Sequence, residues 1–464
     1  MKSILWSALS LSASVVAETI IERDVAIVGG GAAGTFAAIR LQQMGLSVAL
    51  IEKSHRLGGH VSTWIQPSTG IVLDYGVQIF TNQSVVHDYF SHFNISLVTS
   101  PGLPGGVTTD TNFLTASPVN ATIPTPDLVA ALATYVRLLN QYSYINGEWN
   151  LPDPVPEDLL LPWGEFMVQH NITALATLVY TINQGQADIL SLPALYVLRQ
   201  LPLSAIQSLS SGFLAAPIGV QTLYDRALAE LGDSAFLNAT ISHITRPQNP
   251  SPYDPISICL TTPYPLTIRA KTLLLTLPPT LPNLLPFLDL SETETSLFSQ
   301  FSFSAFYNAL LRNTGLPPNT TYRNLNPSLP FDIPALPAVY EIGATAAPGI
   351  SGMQYGAPSS HPVTDGQVQA DILATIARLR EAAGVLDYEG EPEFVGFNNH
   401  APNHLAVSAS TIRDGFYTKL KALQGPRGTF WSGATWASDS SASIWDFTEH
   451  VILPRIVEAV RGGS

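Results

Sequence analysis

One cysteine in 464 residues, Cys259, sets the first limit on this chain: no intrachain disulfide can form, so the packed core alone holds the fold. Nor can a cysteine near the C-terminus tether a cofactor through sulfur. Charged residues make up 12% of the chain, about half the usual share of ~25%. Lysine is rarer still, at Lys2, Lys53, Lys271, Lys419 and Lys421 only. The net charge of −14 argues against nucleic acid or an anionic membrane as partner, because like charges repel. There is no zinc-spaced Cys/His cluster, so no metal is expected, and no serine-hydrolase elbow. The apolar run Ile4–Val16 is too short to span a bilayer comfortably. With Lys2 before it and Val15-Val16-Ala17 after it, the run reads as a secretory signal over residues 1–17, and no strong membrane signal remains once it is removed.

What is present concentrates in Asp24–Lys53, DVAIVGGGAAGTFAAIRLQQMGLSVALIEK. A short apolar run, Asp24–Val28, ends in Gly29-Gly30-Gly31-Ala32-Ala33-Gly34. In this G-x-G-x-x-G pattern Gly29 makes the tight turn and Gly31 lets backbone approach a pyrophosphate. Gly34 lets the next helix pack against the strand. That helix is expected to run to about Met44, with free N–H groups and the positive dipole end facing phosphates. Ala33 sits in its first turn. Gly45 stops it, Val48–Ile51 forms a second strand, and Glu52 follows 21 residues after Gly31, where a carboxylate accepts ribose hydroxyls.

NAD and FAD share this unit, and the residues just beyond it favour FAD. Arg56-Leu57-Gly58-Gly59-His60 supplies a second glycine pair that lets the chain double back over the cofactor, as in flavoproteins of the glutathione-reductase type. Lys53 and Arg56 could neutralise phosphate. Leu73-Asp74-Tyr75-Gly76-Val77-Gln78 offers a further close approach, with Gly76 and Gln78 expected beside the flavin ring.

The length predicts two intimately packed domains. Leu223–Leu231 reads as a helix and Ala235–Ile244 as a strand. Ile256–Leu260, Leu266–Ala270 and Thr272–Leu277 read as three short strands of an antiparallel meander. Thr429–Trp431 is strand-like, Gly433 opens a turn, and an apolar helix begins near Ile444. Its N-terminus could face the flavin edge where negative charge collects on reduction. Between these blocks, Pro124–Tyr142 and Pro162–Leu201 are helix-rich, Phe301–Pro317 and Pro337–Tyr355 look extended, and Asp365–Ala383 reads as an amphipathic helix. Asn319–Pro337 reads as an exposed loop. The expected class is α/β: a Rossmann-type FAD-binding domain of the glutathione-reductase type with an antiparallel meander, and an inserted, discontinuous α+β substrate domain. The cofactor domain is expected over 18–82, 205–290 and 415–464, the substrate domain over 83–204 and 291–414.

With these blocks placed, the chain resembles the flavin amine oxidase superfamily in VAIVGGGAAG with Glu52, the Gly58–Gly59 pair, Leu237–Arg246 with Leu273–Pro279, and Trp431-Ser432-Gly433-Ala434. More narrowly, GGHVSTW, LDYGVQIF, GFYTKLKALQG and IWDFTEHVILPRI are similar to secreted fungal flavoproteins of the β-cyclopiazonate dehydrogenase type. That resemblance implies FAD, cofactor contacts at Ile241, Gly433 and Ala434, and dehydrogenation of a secondary metabolite with ring closure following; the lack of a C-terminal cysteine makes the expected FAD non-covalent. Many amine oxidases of the superfamily carry a lysine on a strand of the second domain. The corresponding FSAFYNALLR, Phe303–Arg312, has none.

The reading that follows is an FAD oxidoreductase passing a hydride from an apolar small molecule to flavin N5, with O2 or another acceptor reoxidising the flavin. An amine or amino-acid oxidase releasing peroxide is one alternative, and a flavin-binding protein without turnover another. Candidate chemistry falls first on His60, expected near the flavin ring or pyrophosphate as a hydrogen-bond partner of the flavin, a base or a phosphate contact. It falls also on His400, because histidine is the side chain whose ordinary pKa suits proton shuttling near neutrality, with Tyr417 as a further candidate. His404 joins His400 in NHAPNH. Tyr417, Trp431 and Trp436 are expected to wall the substrate, and Asp439 to cap the last helix. Six sequons, at Asn82, Asn94, Asn120, Asn171, Asn238 and Asn319, point to glycosylation and a secreted or lumenal location, in the vacuole or ER if retained.

Overall fold

The structure is a computed structural model that describes residues 19–100, 106–121, 123–251, 253–261, 265–385, 388 and 390–462. The expected signal over 1–17 lies outside the described residues. The first strand, Thr19–Val28, is exposed in its outer half and wholly buried at Val25–Val28, the pattern of a strand covered on both faces. It pairs in parallel with Val48–Ile51 on one side and with Pro265–Leu275 on the other. Ala235–Phe236 extends one edge, and Thr429–Trp431 pairs in parallel with Leu273–Leu275. The carboxyl ends of all these strands therefore meet at one side of the sheet, where an open α/β sheet binds its ligand.

The outer half of Pro265–Leu275 pairs antiparallel with Ile256–Thr261, which pairs with Ile241–Thr245. This meander differs from expectation in one respect. Leu266–Ala270 and Thr272–Leu277 are not two strands, because alternation runs unbroken through Lys271. Its exposed ammonium pairs with Asp24 at 2.8 Å, so the charge marks a solvent-facing position and not a turn. Conversely, Ala235–Ile244 is not one strand. Asn238 takes a φ of 51° and redirects the chain before Ile241.

The first helix, Ala32–Gln43, and the helix Ser84–His92 pack together around Trp445. That indole lies 5.0 Å from Tyr89 and 5.4 Å from Phe80, ring centre to ring centre, and its Nε1–H donates to the Ala32 carbonyl at 3.1 Å. The layer over the nucleotide half thus extends past the expected boundary at 82. Trp445 belongs to Ser441–Phe447, which continues through a π-helical turn, Thr448–Ile452, into Leu453–Gly462.

The second sheet is mostly antiparallel, in the order Glu393–Asn399, Ser302–Arg312, Ile350–Pro358, Ala338–Ala344, Thr320–Asn324, Val107–Asn112 and Ser117–Pro118. One face carries Tyr307, Ala309, Leu311 and Met353 against Val368, Ile372 and Ile376 of the helix Asp365–Ala382. The other face looks toward the first sheet. Asn319–Pro337 is not the expected loop: Thr320–Asn324 is an inner strand with Thr321 and Leu325 fully buried. Its prolines flank the strand without entering it, and Asn324, at the strand's end, is buried and donates to the Val339 carbonyl at 2.8 Å. Among the described residues no helix is long and apolar enough to cross a membrane, and no group of metal-ligating side chains is assembled.

Candidate functional site

The glycine positions pack as a nucleotide-binding turn requires. Gly29 has a φ of +104°, and a Cβ on Gly34 would lie 1.9 Å from the Gly29 carbonyl oxygen. Gly31 is the first helix's N-cap, with no side-chain cap and no acidic residue in the first turn, so its N–H groups remain for an anion. The second glycine pair does double back: the Gly58 N–H donates to the Gly30 carbonyl at 2.8 Å, and a Cβ on Gly59 would lie 3.1 Å from the Gly31 Cα. Two backbone loops without side chains therefore face each other over the carboxyl ends of the strands, a cradle that fits a pyrophosphate.

Glu52 holds this cradle from below. Its carboxylate accepts from the Gly30 N–H at 2.7 Å and from the Ser54 N–H at 2.8 Å, leaving further lone pairs for a ribose. The Ala239 N–H donates to the Glu52 carbonyl, which brings the chain leading into Ile241 alongside. Lys53 is exposed. Arg56 donates to Gln221 at 2.8 Å and so ties the second loop to the helix Gln221–Leu231. Gly76 makes a close backbone approach, but to His60: its Cβ would meet the His60 carbonyl oxygen at 2.0 Å. Gln78 is exposed beside it, Gly433 has a φ of +115° against Thr276, and Ala434 is exposed at the same turn.

His60 and His400 come together from opposite sides of the cleft. Their rings stack 4.3 Å apart at 13°. His60 has accessible surface although protein surrounds it, the mark of a residue lining an internal cleft. Burial pushes its pKa down, and the Asp439 charge opposes that shift. His400 is depressed further, by burial and then by His60 and Arg56. The Asn308 amide nitrogen, which can only donate, contacts His400 Nδ1 at 3.3 Å, so this nitrogen accepts and the ring proton sits on Nε2. Both imidazoles are therefore neutral near pH 7.

The remaining candidates stand elsewhere. Tyr417 is buried, 2.7 Å from the Tyr196 hydroxyl and stacked 3.6 Å from Trp149. Trp431 is 0% exposed and packs on Phe298, with Trp436 stacked behind it. The expectation that Trp431 and Trp436 wall a substrate fails on this packing, since two buried, mutually stacked indoles serve the core. His404 binds Asp439 at 2.5 Å. Asp439 does not cap the last helix, whose N-cap Ser440 makes no side-chain bond.

Several residues escaped the sequence reading. Arg199 is fully buried with its guanidinium 3.6 Å from the Trp149 ring, and donates to the carbonyls of Ile145, Gly147 and Ala437. It thereby fixes the chain after Gly433; burial pulls its pKa down to about 10. Asp74 accepts from Thr63 Oγ1 and from the Val220 N–H, and burial pushes its pKa up to about 6. Asn308 could have been found as the one amide within the stretch Phe306–Leu311, whose other side chains are aromatic or aliphatic.

Comparison with known proteins agrees with this geometry. Residues 27–93 match the family model for an NAD(P)-binding Rossmann-like domain. The chain is 35% identical over 456 residues to the FAD-dependent oxidoreductase oblC of Cochliobolus heterostrophus, covering 95% of this chain and 92% of the relative. It is 36% identical over 481 residues to the FAD-dependent oxidoreductase dpasF of Apiospora sacchari, covering 99% and 100%. Against the beta-cyclopiazonate dehydrogenase of Aspergillus oryzae the identity is 30% over 455 residues, covering 96% and 95%. Among solved structures, a fatty acid isomerase from P. acnes superposes with a TM-score of 0.74 at 20% identity over 93% of this chain and 98% of the other. A putrescine oxidase double mutant follows at 0.66 and 17%, over 94% and 99%. At such identities these two establish the shared fold.

Proposed function

Because the chain belongs to the FAD-dependent oxidoreductases that include beta-cyclopiazonate dehydrogenase, within the flavin amine oxidase-like superfamily, we propose that it dehydrogenates an apolar small molecule of fungal secondary metabolism. When bound, FAD supplies the two-electron sink, accepting hydride at N5. The chain's own residues bind it, orient the substrate and take the proton that leaves with the hydride. Gly31, Gly34 and Gly59 admit the pyrophosphate, and Glu52 stands ready for the ribose.

The observation that carries the reading is the neutral His60–His400 stack at the junction of the two sheets. A neutral imidazole has a lone pair free to accept a proton, and Asp439 stabilises the imidazolium that results on His60. Loss of one hydride and one proton leaves a double bond, which a nucleophile within the substrate can close on. The second sheet's inner strand Ser302–Arg312 carries no lysine, which weighs against simple amine oxidation. Anaerobic mixing of the purified flavoprotein with candidate biosynthetic intermediates tests the proposal. It predicts bleaching of the flavin band and a product lighter by two hydrogens, cyclised or not. Bleaching accompanied by a deaminated product would overturn it.

The same proposal places the protein in the secretory pathway. All six sequon asparagines are exposed, and Asn94, Asn171, Asn238 and Asn319 sit at left-handed turns, where a glycan projects outward. Endoglycosidase treatment of protein from the native secretory route should lower its mass; no change would contradict the location.

A further inference from the structure

Across the face of the second sheet that looks toward His60 runs a row of polar side chains at one register level. Arg323 is the cross-strand partner of Glu341, Glu341 of Gln354, and Gln354 of Asn308. Cross-strand partners share a face, and the opposite face of these strands is the apolar one packed on Asp365–Ala382. The row ends at His400, through Asn308. A β-bulge at Tyr340 breaks the pairing between Val339 and Glu341 and turns both Tyr340 and Glu341 to this side.

The segment Tyr180–Gln186 lies over the row. Tyr180 packs 5.4 Å from the Tyr340 ring, Thr181 accepts from Arg323 at 3.3 Å, and the Gly185 N–H reaches the Tyr340 hydroxyl at 3.4 Å. Asn183 is 3% and Gln186 2% exposed, yet neither side chain has a hydrogen-bond partner on its oxygen or its nitrogen. The Tyr180 hydroxyl and Gln354 Oε1 are likewise buried and unpartnered. Folded proteins pair nearly all their buried polar groups, so this cluster of orphans beside the histidine pair calls for a partner, either water or a ligand.

The charge of the site selects among ligands. Arg323 is already paired with Asp110 at 2.7 Å. Burial raises the Glu341 pKa to about 7, with the Arg323 charge opposing the rise. Among the described residues of this row, Arg323 is the one cation, and its pairing leaves none to hold an anion. The uncommitted groups are carboxamides, a phenol and a carboxyl, which together both donate and accept.

We propose that Glu341, Gln354, Asn183 and Gln186 form a specificity subsite for a neutral group that both donates and accepts hydrogen bonds, of the secondary amide or lactam class. The substrate is then amphipathic, with this polar end two to three strands away from His400. At about 4.8 Å per strand, the reacting carbon lies roughly 10–14 Å from the amide. This inference rests on the dehydrogenase reading of the same site and adds the substrate's recognition group to it.

The test uses the FAD-loaded enzyme and four probes with the same decyl tail: a γ-lactam, the matching γ-lactone, decylammonium and decanoate. Binding is read from perturbation of the flavin spectrum. The lactam should bind about tenfold more tightly than the lactone, which lacks only the N–H, and more tightly than either ion. Gln354→Leu and Gln186→Leu should bring the lactam-to-lactone ratio to within about twofold, with FAD content unchanged. Equal affinity for lactam and lactone, preference for an ion, no perturbation by any probe, or a ratio unmoved in folded variants would each overturn the proposal. Should the variants not fold, the wild-type ratio decides. Failure of the dehydrogenase reading shows separately, as absence of flavin bleaching with any candidate intermediate.

Discussion

At the residue scale the chemistry depends on a few positions where nothing larger fits. Gly34→Ala sets a methyl 1.9 Å from the Gly29 carbonyl and 2.9 Å from Thr276 Oγ1. Overpacking of this kind costs ~1–3 kcal/mol. Since the shift would open the turn, FAD content per purified protein should fall together with Tm; full FAD occupancy would argue that the turn does not hold the pyrophosphate. The histidine pair makes a second, signed prediction. Burial lowers both pKa values below the ordinary 6.5. The neutral form is needed, so the rate of flavin reduction rises with pH through a pKa below 6.5 and is flat at neutrality. By linkage, the stability these two rings contribute is present above the unfolded pKa of 6.5 and is lost as pH falls. Asp439 is the charge raising the His60 value, and Arg56 opposes protonation of His400. Asp439→Asn should therefore move the acid limb to lower pH; a shift upward would contradict the assignment. The glycines were legible in the sequence because a turn needs them at fixed spacing. Asn308, Gln354 and Glu341 were not, since single polar residues in apolar strands reveal their common level only once the strand register is known.

At the element scale, the nucleotide half depends on one side chain from the far end of the chain. Trp445 fills the space between Ala32–Gln43 and Ser84–His92 and bonds the carbonyl at the first helix's start. Trp445→Ala should cost ~3–5 kcal/mol, read as a lower Tm with weakened FAD retention; an unchanged Tm would show that the last helix is not part of this layer. The strand–turn–helix–strand unit could be read from sequence because its contacts are local. Pairing of Thr19–Val28 with Pro265–Leu275 could not, because the two are separated by most of the chain. For the same reason Lys271 was mistaken for a break: an exposed position inside a long strand looks like a turn until its neighbours on both sides are seen. Asn319–Pro337 misled in the opposite direction, its flanking prolines masking a buried strand.

At the scale of the whole molecule, the reaction centre is a joint product of two sheets. The first brings His60 and the glycine loops; the second brings His400, Asn308 and the polar row. Neither half contains the site, so the sequence announced the cofactor far more clearly than the substrate. The account stands on FAD held at the carboxyl ends of the first sheet by packing and hydrogen bonds, with no tether through cysteine, since Cys259 lies in the meander strand Ile256–Thr261, away from that edge. The most direct test is the visible absorption spectrum of the purified protein, followed by denaturation and filtration. The account predicts a flavin band in the folded protein that passes entirely into the filtrate. A folded but colourless protein, or flavin retained on the denatured chain, would contradict it.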